Sequence, residues 1–441
     1  MTPVPPKGLP PGVSAGRNVF DGTFPLPTAT LLRAELEHNI ATMAGYCAEH
    51  GVLLAPHGKT TMSPQILRRQ LAAGAWAVTV ATAWQASAVA AMGVRRILLA
   101  NEVADPGSVH CLADLLAAHD DLELFCYADS PAALAAVAYL PGIRVLVELG
   151  VAGGRTGLRD DADAVALARR IAAGPAVYAG VAAFEGIIDA GSLPATLAAV
   201  DALLRRLVTV ATVTSDLVAT ATSDLVATAT SGLVATATAD PAATATADPA
   251  ATATSDLVVA RRATDLAGSG PIVTVGGSSY FDRVVQILPA ALAATPYRTV
   301  LRSGCYVTHD AGIYDAASPF GAHPRGPHRF REALRIWAPV LSRPEPTRAI
   351  AGLGRRDASA DAGLPVPRVR RVDGVEEPLD ATVVAVNDQH AHLDLATDAR
   401  LDVGDLVGFG VSHPCTTFDK WRAIPVVDGD GTIVELAETC F

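Results

Sequence analysis

Between residues 50 and 200 the chain alternates short apolar runs with longer stretches rich in alanine and leucine, and this rhythm limits the possible folds severely. The runs at 53–55, 77–81, 96–100, 122–127, 143–149 and 177–184 have strand length, and the stretches between them, such as 84–92 and 108–118, have helix length. A helix between successive strands is the crossover that parallel pairing needs. Further helical spacing covers 31–49 and 64–72, and further strands fall near 272–275 and 299–302. A (β/α)8 TIM-like barrel fits this count best, with a doubly wound open sheet as the second possibility. Beyond residue 305 the segments 335–341, 382–386, 392–396, 406–410 and 432–436 are short and β-like, and Asp428-Gly429-Asp430-Gly431 is a hairpin signal. The expected architecture is α/β: a flexible tail over 1–17, a barrel over 18–305, and a C-terminal antiparallel β domain over 306–441.

Residues 214–261 fit neither half. An eight-residue unit beginning Thr-Ser-Asp-Leu-Val-Ala-Thr-Ala runs six times in register there, with Asp240-Pro241 and Asp248-Pro249 in two copies. Solenoid units generally need about 20 residues or more. Alanine and threonine bury little area, so the segment reads as a low-complexity insertion on the barrel surface with no part in catalysis. The net charge of −11, with dispersed basic residues, argues against a nucleic-acid partner. No apolar run approaches the ~20 residues needed to span a membrane. Six cysteines without paired spacing suit a reducing compartment. The expectation is a cytoplasmic protein that acts on a small molecule and has no membrane partner.

Four groups of residues carry chemistry. His57-Gly58-Lys59-Thr60 follows the first apolar run, at the strand end where barrel enzymes place their sites. A lysine that loses solvation there becomes nucleophilic near neutral pH and can form a Schiff base, although a surface lysine starting a helix has the same local sequence. Gly276-Gly277-Ser278-Ser279 sits between a strand and a helix, where backbone amides and hydroxyls can hold one phosphate. It lacks the spacing and the lysine of a nucleotide loop. Arg155, within the glycine-rich run 150–157, can reach a polar ligand or face solvent. His413-Pro414-Cys415, read as extended strand, points imidazole and thiol to one side. Both donors suit Zn²⁺, while a packed histidine beside a buried cysteine is the plainer alternative. His309, His390 and His392 are possible additional ligands.

Together the spans 53–65, 77–101, 147–157, 184–186, 274–282, 301–310 and 410–421 resemble D-serine dehydratase-like proteins. These are grouped with D-threonine aldolases and D-threo-3-hydroxyaspartate dehydratases, pyridoxal-phosphate enzymes of the alanine racemase (fold-type III) barrel class. The most specific pieces are Pro56-His57-Gly58-Lys59-Thr60 and the stretch from Ser412 to Trp421. The resemblance implies that Lys59 is catalytic and holds pyridoxal 5'-phosphate. It also implies that His57, Arg155, Gly276, Gly277 and Ser278 bind that cofactor, and that His413 and Cys415 hold Zn²⁺. The chain departs from its relatives at Ala55, where they often carry arginine. It departs again at Phe184-Glu185-Gly186-Ile187, where they carry an aromatic hydroxyl and later a histidine. The dehydratase branch carries His-x-Cys where the aldolase branch carries His-x-Asp. Cys415 thus implies β-elimination from a D-3-hydroxy amino acid such as D-serine or D-threonine, giving a 2-oxo acid and ammonia. The alternatives are a D-threonine-type aldolase and a non-catalytic pyridoxal-phosphate-binding protein. Relatives of this class are usually homodimers.

Overall fold

The computed structural model describes residues 4–218 and 270–441. Residues 219–261 of the octapeptide repeat lie outside the described residues. The chain forms two compact units, one made of 1–97, 276–282 and 301–441, the other of 98–275 and 283–300.

After β1 (Thr28–Leu32), eight strands build one parallel sheet: β2 (Leu53–Leu54), β3 (Val78–Val80), β4 (Arg96–Glu102), β5 (Glu123–Ala128), β6 (Arg144–Leu149), β7 (Val177–Ala183), β8 (Ile272–Thr274) and β9 (Arg298–Leu301). Their order is β2-β9-β8-β7-β6-β5-β4-β3. The two ends of that order meet at a parallel bridge between His57 and Thr79, so the sheet returns on itself and the open doubly wound alternative falls away. The strands are covered on both faces and read as nearly continuous apolar runs, as in the buried Val145-Leu146-Val147 of β6. Five of the helices start on a capping side chain. Side-chain oxygens of Thr82, Asp105, Ser130, Asp160 and Ser192 accept the backbone N–H of Gln85, Ser108, Ala133, Ala162 and Ala195. Each such cap contributes about 1 kcal/mol.

In the unit containing residues 98–275, the helix Leu193–Val213 runs directly into the first repeat. Thr214 is fully buried there, with its hydroxyl 2.8 Å from Tyr178 Oη and 3.0 Å from Tyr297 Oη. The start of the insertion is therefore packed, not free on the surface.

The other unit carries a second, mostly antiparallel sheet. Its strands are β10 (Leu334–Glu345), β11 (Arg348–Ala351), β12 (Val366–Val372), β13 (Val375–Pro378), β14 (Ala381–Val386), β15 (Ala391–Leu395), β16 (Leu406–Gly410), β17 (Ala423–Val427) and β18 (Ile433–Glu438). They pair in the order β13-β12-β16-β10-β1-β17-β18, with β11, β14 and β15 branching from β10. β1 enters from far upstream, antiparallel to β10 and parallel to β17. The spacing predicted helix from residue 31, but β1 holds Leu31 and Leu32 and the helix begins at Arg33. The β17–β18 hairpin forms as its sequence predicts. The Asp428 N–H donates to Thr432 O at 2.9 Å, and Gly431 takes φ 91°, a conformation open to glycine. Leu9 packs with Val19, Phe24, Ala423, Val427 and Ile433 in a small core beside this hairpin.

Candidate active site

Lys59 stands in a short 3-10 turn, Gly58–Thr60, at the carboxyl end of β2. Two close approaches hold that turn. A Cβ on Gly58 would lie 2.8 Å from Val78 Cγ1 of β3. A Cβ on Gly304, in the turn after β9, would lie 2.7 Å from Thr60 Oγ1 and 2.8 Å from His57 Cβ. The Thr79 hydroxyl donates to Ala55 O at 2.7 Å and the Thr79 N–H to Pro56 O at 2.9 Å, which fixes the approach to the turn. The chain has three lysines. Lys7 Nζ bonds Arg356 O at 2.7 Å and pairs with Asp357 at 3.3 Å, and Lys420 pairs with Asp419 at 3.8 Å. Half-buried Lys59 takes no carboxylate partner among the described residues. An amine without a counter-ion, in a fixed turn at a strand end, is the one best suited to covalent chemistry.

Gly276, Gly277 and Ser278 lie between β8 and the helix Phe281–Leu292. Gly276 takes φ 100°, which a side chain resists. Its carbonyl accepts the Arg302 N–H at 2.9 Å, and Gly277 O accepts the Ser303 hydroxyl at 2.8 Å. The helix start is anchored by Phe281, whose ring meets Tyr46 at 5.7 Å and Phe320 at 5.0 Å between centroids. Arg325 grips Asp282 with two bonds of 2.8 and 2.9 Å, neutralising a carboxylate in the first turn of that helix. Buried Ser278 and Ser279 hydroxyls beside the first turn of a long helix make a donor set that a phosphate monoester fits.

His413 and Cys415 do not lie on the extended strand predicted for them. His413 is extended at φ −147°, but Pro414 occupies the first helical position and turns the chain into the helix Pro414–Phe418. The two side chains nevertheless converge. His413 Nδ1 is 2.7 Å from Asp361 Oδ2, and the Thr416 hydroxyl donates to Asp361 Oδ1 at 3.0 Å. Cys415 Sγ lies 3.4 Å from Thr60 Oγ1 and 3.3 Å from Cys305 Sγ. The His413 imidazole is pushed up to about 9 by its bond to Cys415 and then by Asp361. The Cys415 thiol is held well below its usual range by the Cys305 S–H and the His413 ring. Asp361 orients the ring through Nδ1, so Nε2 is the nitrogen that could serve a metal once it gives up its proton. An imidazole and a thiolate suit Zn²⁺. Among the described residues no group of three or more such side chains is set for a metal. His309 pairs with Asp315 at 3.2 Å, and His392 Nε2 lies 2.8 Å from Asn387 Oδ1.

Arg155 lies in the other unit, its guanidinium 4.8 Å over the Phe184 ring. In the same unit Glu102, at the end of β4, is pushed up to about 8 by burial and next by the charge of Glu148. Neither Glu102 oxygen finds a hydrogen-bond donor among the described residues, as for two carboxyl groups that can bond only through a shared proton. Sequence reasoning passed over Cys305, Asp361 and Glu102. Cys305 could have been noticed as a thiol just after the Ser303-Gly304 turn at a strand end. Asp361 carries no local signal.

Residues 333–427 match the putative serine dehydratase domain. A D-threonine aldolase of an Arthrobacter species is 26% identical over 417 residues, 93% of this chain and 91% of that protein. The crystal structure of D-threonine aldolase from Filomicrobium marinum superposes with a TM-score of 0.69 at 21% identity, over 97% of this chain and 98% of the other. D-threo-3-hydroxyaspartate dehydratase from Delftia sp. HT23 superposes with a TM-score of 0.61 at 21% identity, over 95% and 98%. The chain is thus similar over nearly its whole length to D-threonine aldolase and D-threo-3-hydroxyaspartate dehydratase, and its fold is alanine racemase-like.

Proposed function

We propose that this lyase removes water from a D-3-hydroxy amino acid, such as D-serine or D-threonine, to give a 2-oxo acid and ammonia, with Zn²⁺ as a second cofactor. The observation that carries the reading is the 3.4 Å between Thr60 Oγ1 and Cys415 Sγ. It sets the turn bearing the one unpaired lysine beside the histidine–thiolate pair. Elimination needs a base for the α-proton and an acid, Brønsted or Lewis, for the departing β-hydroxyl.

Lys59 would hold pyridoxal phosphate, with the amides of Gly276 and Gly277 and the Ser278 hydroxyl on its phosphate and with His57 and Arg155 as further contacts. The cofactor supplies an electron sink for the carbanion at Cα. The Lys59 amine would take the α-proton. His413 Nε2 and Cys415 Sγ would hold Zn²⁺, which supplies Lewis acidity toward the departing hydroxyl. Asp361 keeps the His413 ring in one tautomer and orientation, and Thr416 keeps Asp361 in place. Free thiols at all six cysteines support a reducing compartment, and with it the cytoplasm.

Retro-aldol cleavage is the second reading, supported by the aldolase name of the relative aligned over 93% of this chain. The same lysine would serve, with proton removal from the β-hydroxyl in place of its loss. Incubation with D-threonine separates the two. Elimination releases ammonia and 2-oxobutyrate; cleavage releases glycine and acetaldehyde. Glycine without ammonia sinks the dehydratase reading.

A further inference from the structure

Cys305 takes no part in the chemistry above, yet its sulfur lies 3.3 Å from Cys415 Sγ. That separation is shorter than the contact of two unbonded sulfurs, and a disulfide needs about 2.05 Å, so the sulfurs must close by only ~1.2 Å. Both residues belong to the same compact unit. Both are anchored on short elements, Cys305 at the start of the 3-10 turn Cys305–Val307 and Cys415 in the helix Pro414–Phe418. The Thr60 hydroxyl touches both sulfurs, at 4.0 Å from Cys305 and 3.4 Å from Cys415, so the pair is held from a third side. Exposure differs between the two. Cys305 is buried, whereas Cys415 is partly exposed and its neighbour Thr416 lines a cleft of ≈ 700 Å³ together with Asp361 and Lys420.

We propose that Cys305 and Cys415 are a modification site, a thiol pair that a peroxide converts into a reversible disulfide. The chemistry balances in two steps. The more accessible Cys415 sulfur attacks one peroxide oxygen, the O–O bond breaks, and hydroxide leaves with a proton as water, giving a sulfenic acid. The Cys305 sulfur then attacks Cys415 Sγ. The S–S bond forms, the S–O bond breaks, and a second water departs with the Cys305 proton. Two electrons pass from the two sulfurs to the peroxide, and a dithiol reductant reverses the change. The disulfide takes away the Cys415 thiolate, so on the metal reading given above it also switches off zinc binding. Only that consequence rests on the earlier reading; the disulfide itself does not.

The test uses the full-length, reduced, metal-free chain treated with hydrogen peroxide, then digested without reductant and analysed by mass spectrometry. The expected product is a Cys305–Cys415 cross-linked peptide, in a chain two hydrogens lighter, that dithiothreitol separates. Cys305→Ser and Cys415→Ser each lose the cross-link, and Cys305→Ser accumulates Cys415 sulfinic acid instead. Recovery of both cysteines as separate thiols or as separate sulfinic acids overturns the proposal. In a second arm the chain is incubated with zinc before the peroxide. Protection supports both the pair and the metal assignment. An equal yield of disulfide with zinc overturns the metal assignment and leaves the thiol pair standing.

Discussion

Gly304→Ala tests whether the turn carrying Lys59 is held by close packing. Gly304 adopts φ −118° and ψ −51°, which alanine tolerates, so any effect of the substitution is steric. The new Cβ would stand 2.7 Å from Thr60 Oγ1, 2.8 Å from His57 Cβ and 3.0 Å from His57 O. Rotating the Thr60 side chain relieves the first contact, but Thr60 is buried and β-branched. The two His57 atoms move only with the backbone. Overpacking of this kind costs about 1–3 kcal/mol. At ~2–4 °C per kcal/mol for a unit of this size, the melting temperature should fall by roughly 2–12 °C. The backbone that yields leads into Lys59, so cofactor affinity should fall with it, by at most ~150-fold. The assay pairs thermal unfolding with a spectrophotometric titration of pyridoxal phosphate into the cofactor-free chain. Gly45→Ala is the control: Gly45 lies inside the helix Arg33–Glu49 with nothing within 4 Å of a Cβ. It should raise stability by about 0.5–1 kcal/mol, the usual gain of alanine over glycine in a helix. If Gly304→Ala melts and binds cofactor like the parent while Gly45→Ala is stabilised, the packing argument for the Lys59 turn is wrong.

Lys59→Ala should abolish the visible absorbance of Schiff-base-bound cofactor, whereas Lys7→Ala and Lys420→Ala should keep it; absorbance surviving in Lys59→Ala excludes that residue as the anchor. Glu102, pushed up to about 8 from 4.5 by burial first and Glu148 second, keeps its proton in the fold where the unfolded chain has lost it. Its contribution to stability therefore falls as pH rises from about 4.5 to 8 and is level on either side. Glu102→Gln should gain on the parent by on the order of 1–3 kcal/mol at pH 8, after allowance for solvent screening, and match it at pH 4. Chemical denaturation at both pH values decides this, and an equal gain at both refutes it. Excision of 222–253, four whole octapeptides, should leave the melting temperature and ammonia release unchanged, because closure cost grows slowly with loop length. A cut beginning at Thr214 should lower the melting temperature, since it removes the hydroxyl between Tyr178 and Tyr297. Collapse of the first deletion would show that the repeat is structural.

These tests divide along a line between what the sequence displays and what only the fold assembles. The barrel was legible because short apolar runs alternate with helix-length stretches; five of those helices also start on a capping side chain, at Thr82, Asp105, Ser130, Asp160 and Ser192. β1 was not. Thr28–Leu32 abuts a helix whose apolar spacing runs smoothly back into it, and its strand character comes from pairing with β10 and β17, hundreds of residues away. The same division runs through the site. Lys59 and the Gly276-Gly277-Ser278 turn announce themselves at strand ends, and His413-Pro414-Cys415 announces its donors, although Pro414 bends them onto a helix. Cys305 shows only as a thiol after a strand-end turn, and Asp361 shows nothing. A single cysteine has no spacing to read, and its partner lies 110 residues further along; Asp361 meets His413 across 52. Both are second members of pairs whose first member was visible, and both act by changing what that member can do. Asp361 fixes the tautomer and orientation of His413. The Cys305 S–H holds the Cys415 thiol well below its usual range, and its sulfur stands 3.3 Å away. Local sequence thus marks the candidate groups, while the closing of β2 onto β3 and the packing of Gly304 against His57 hold the turn that carries Lys59.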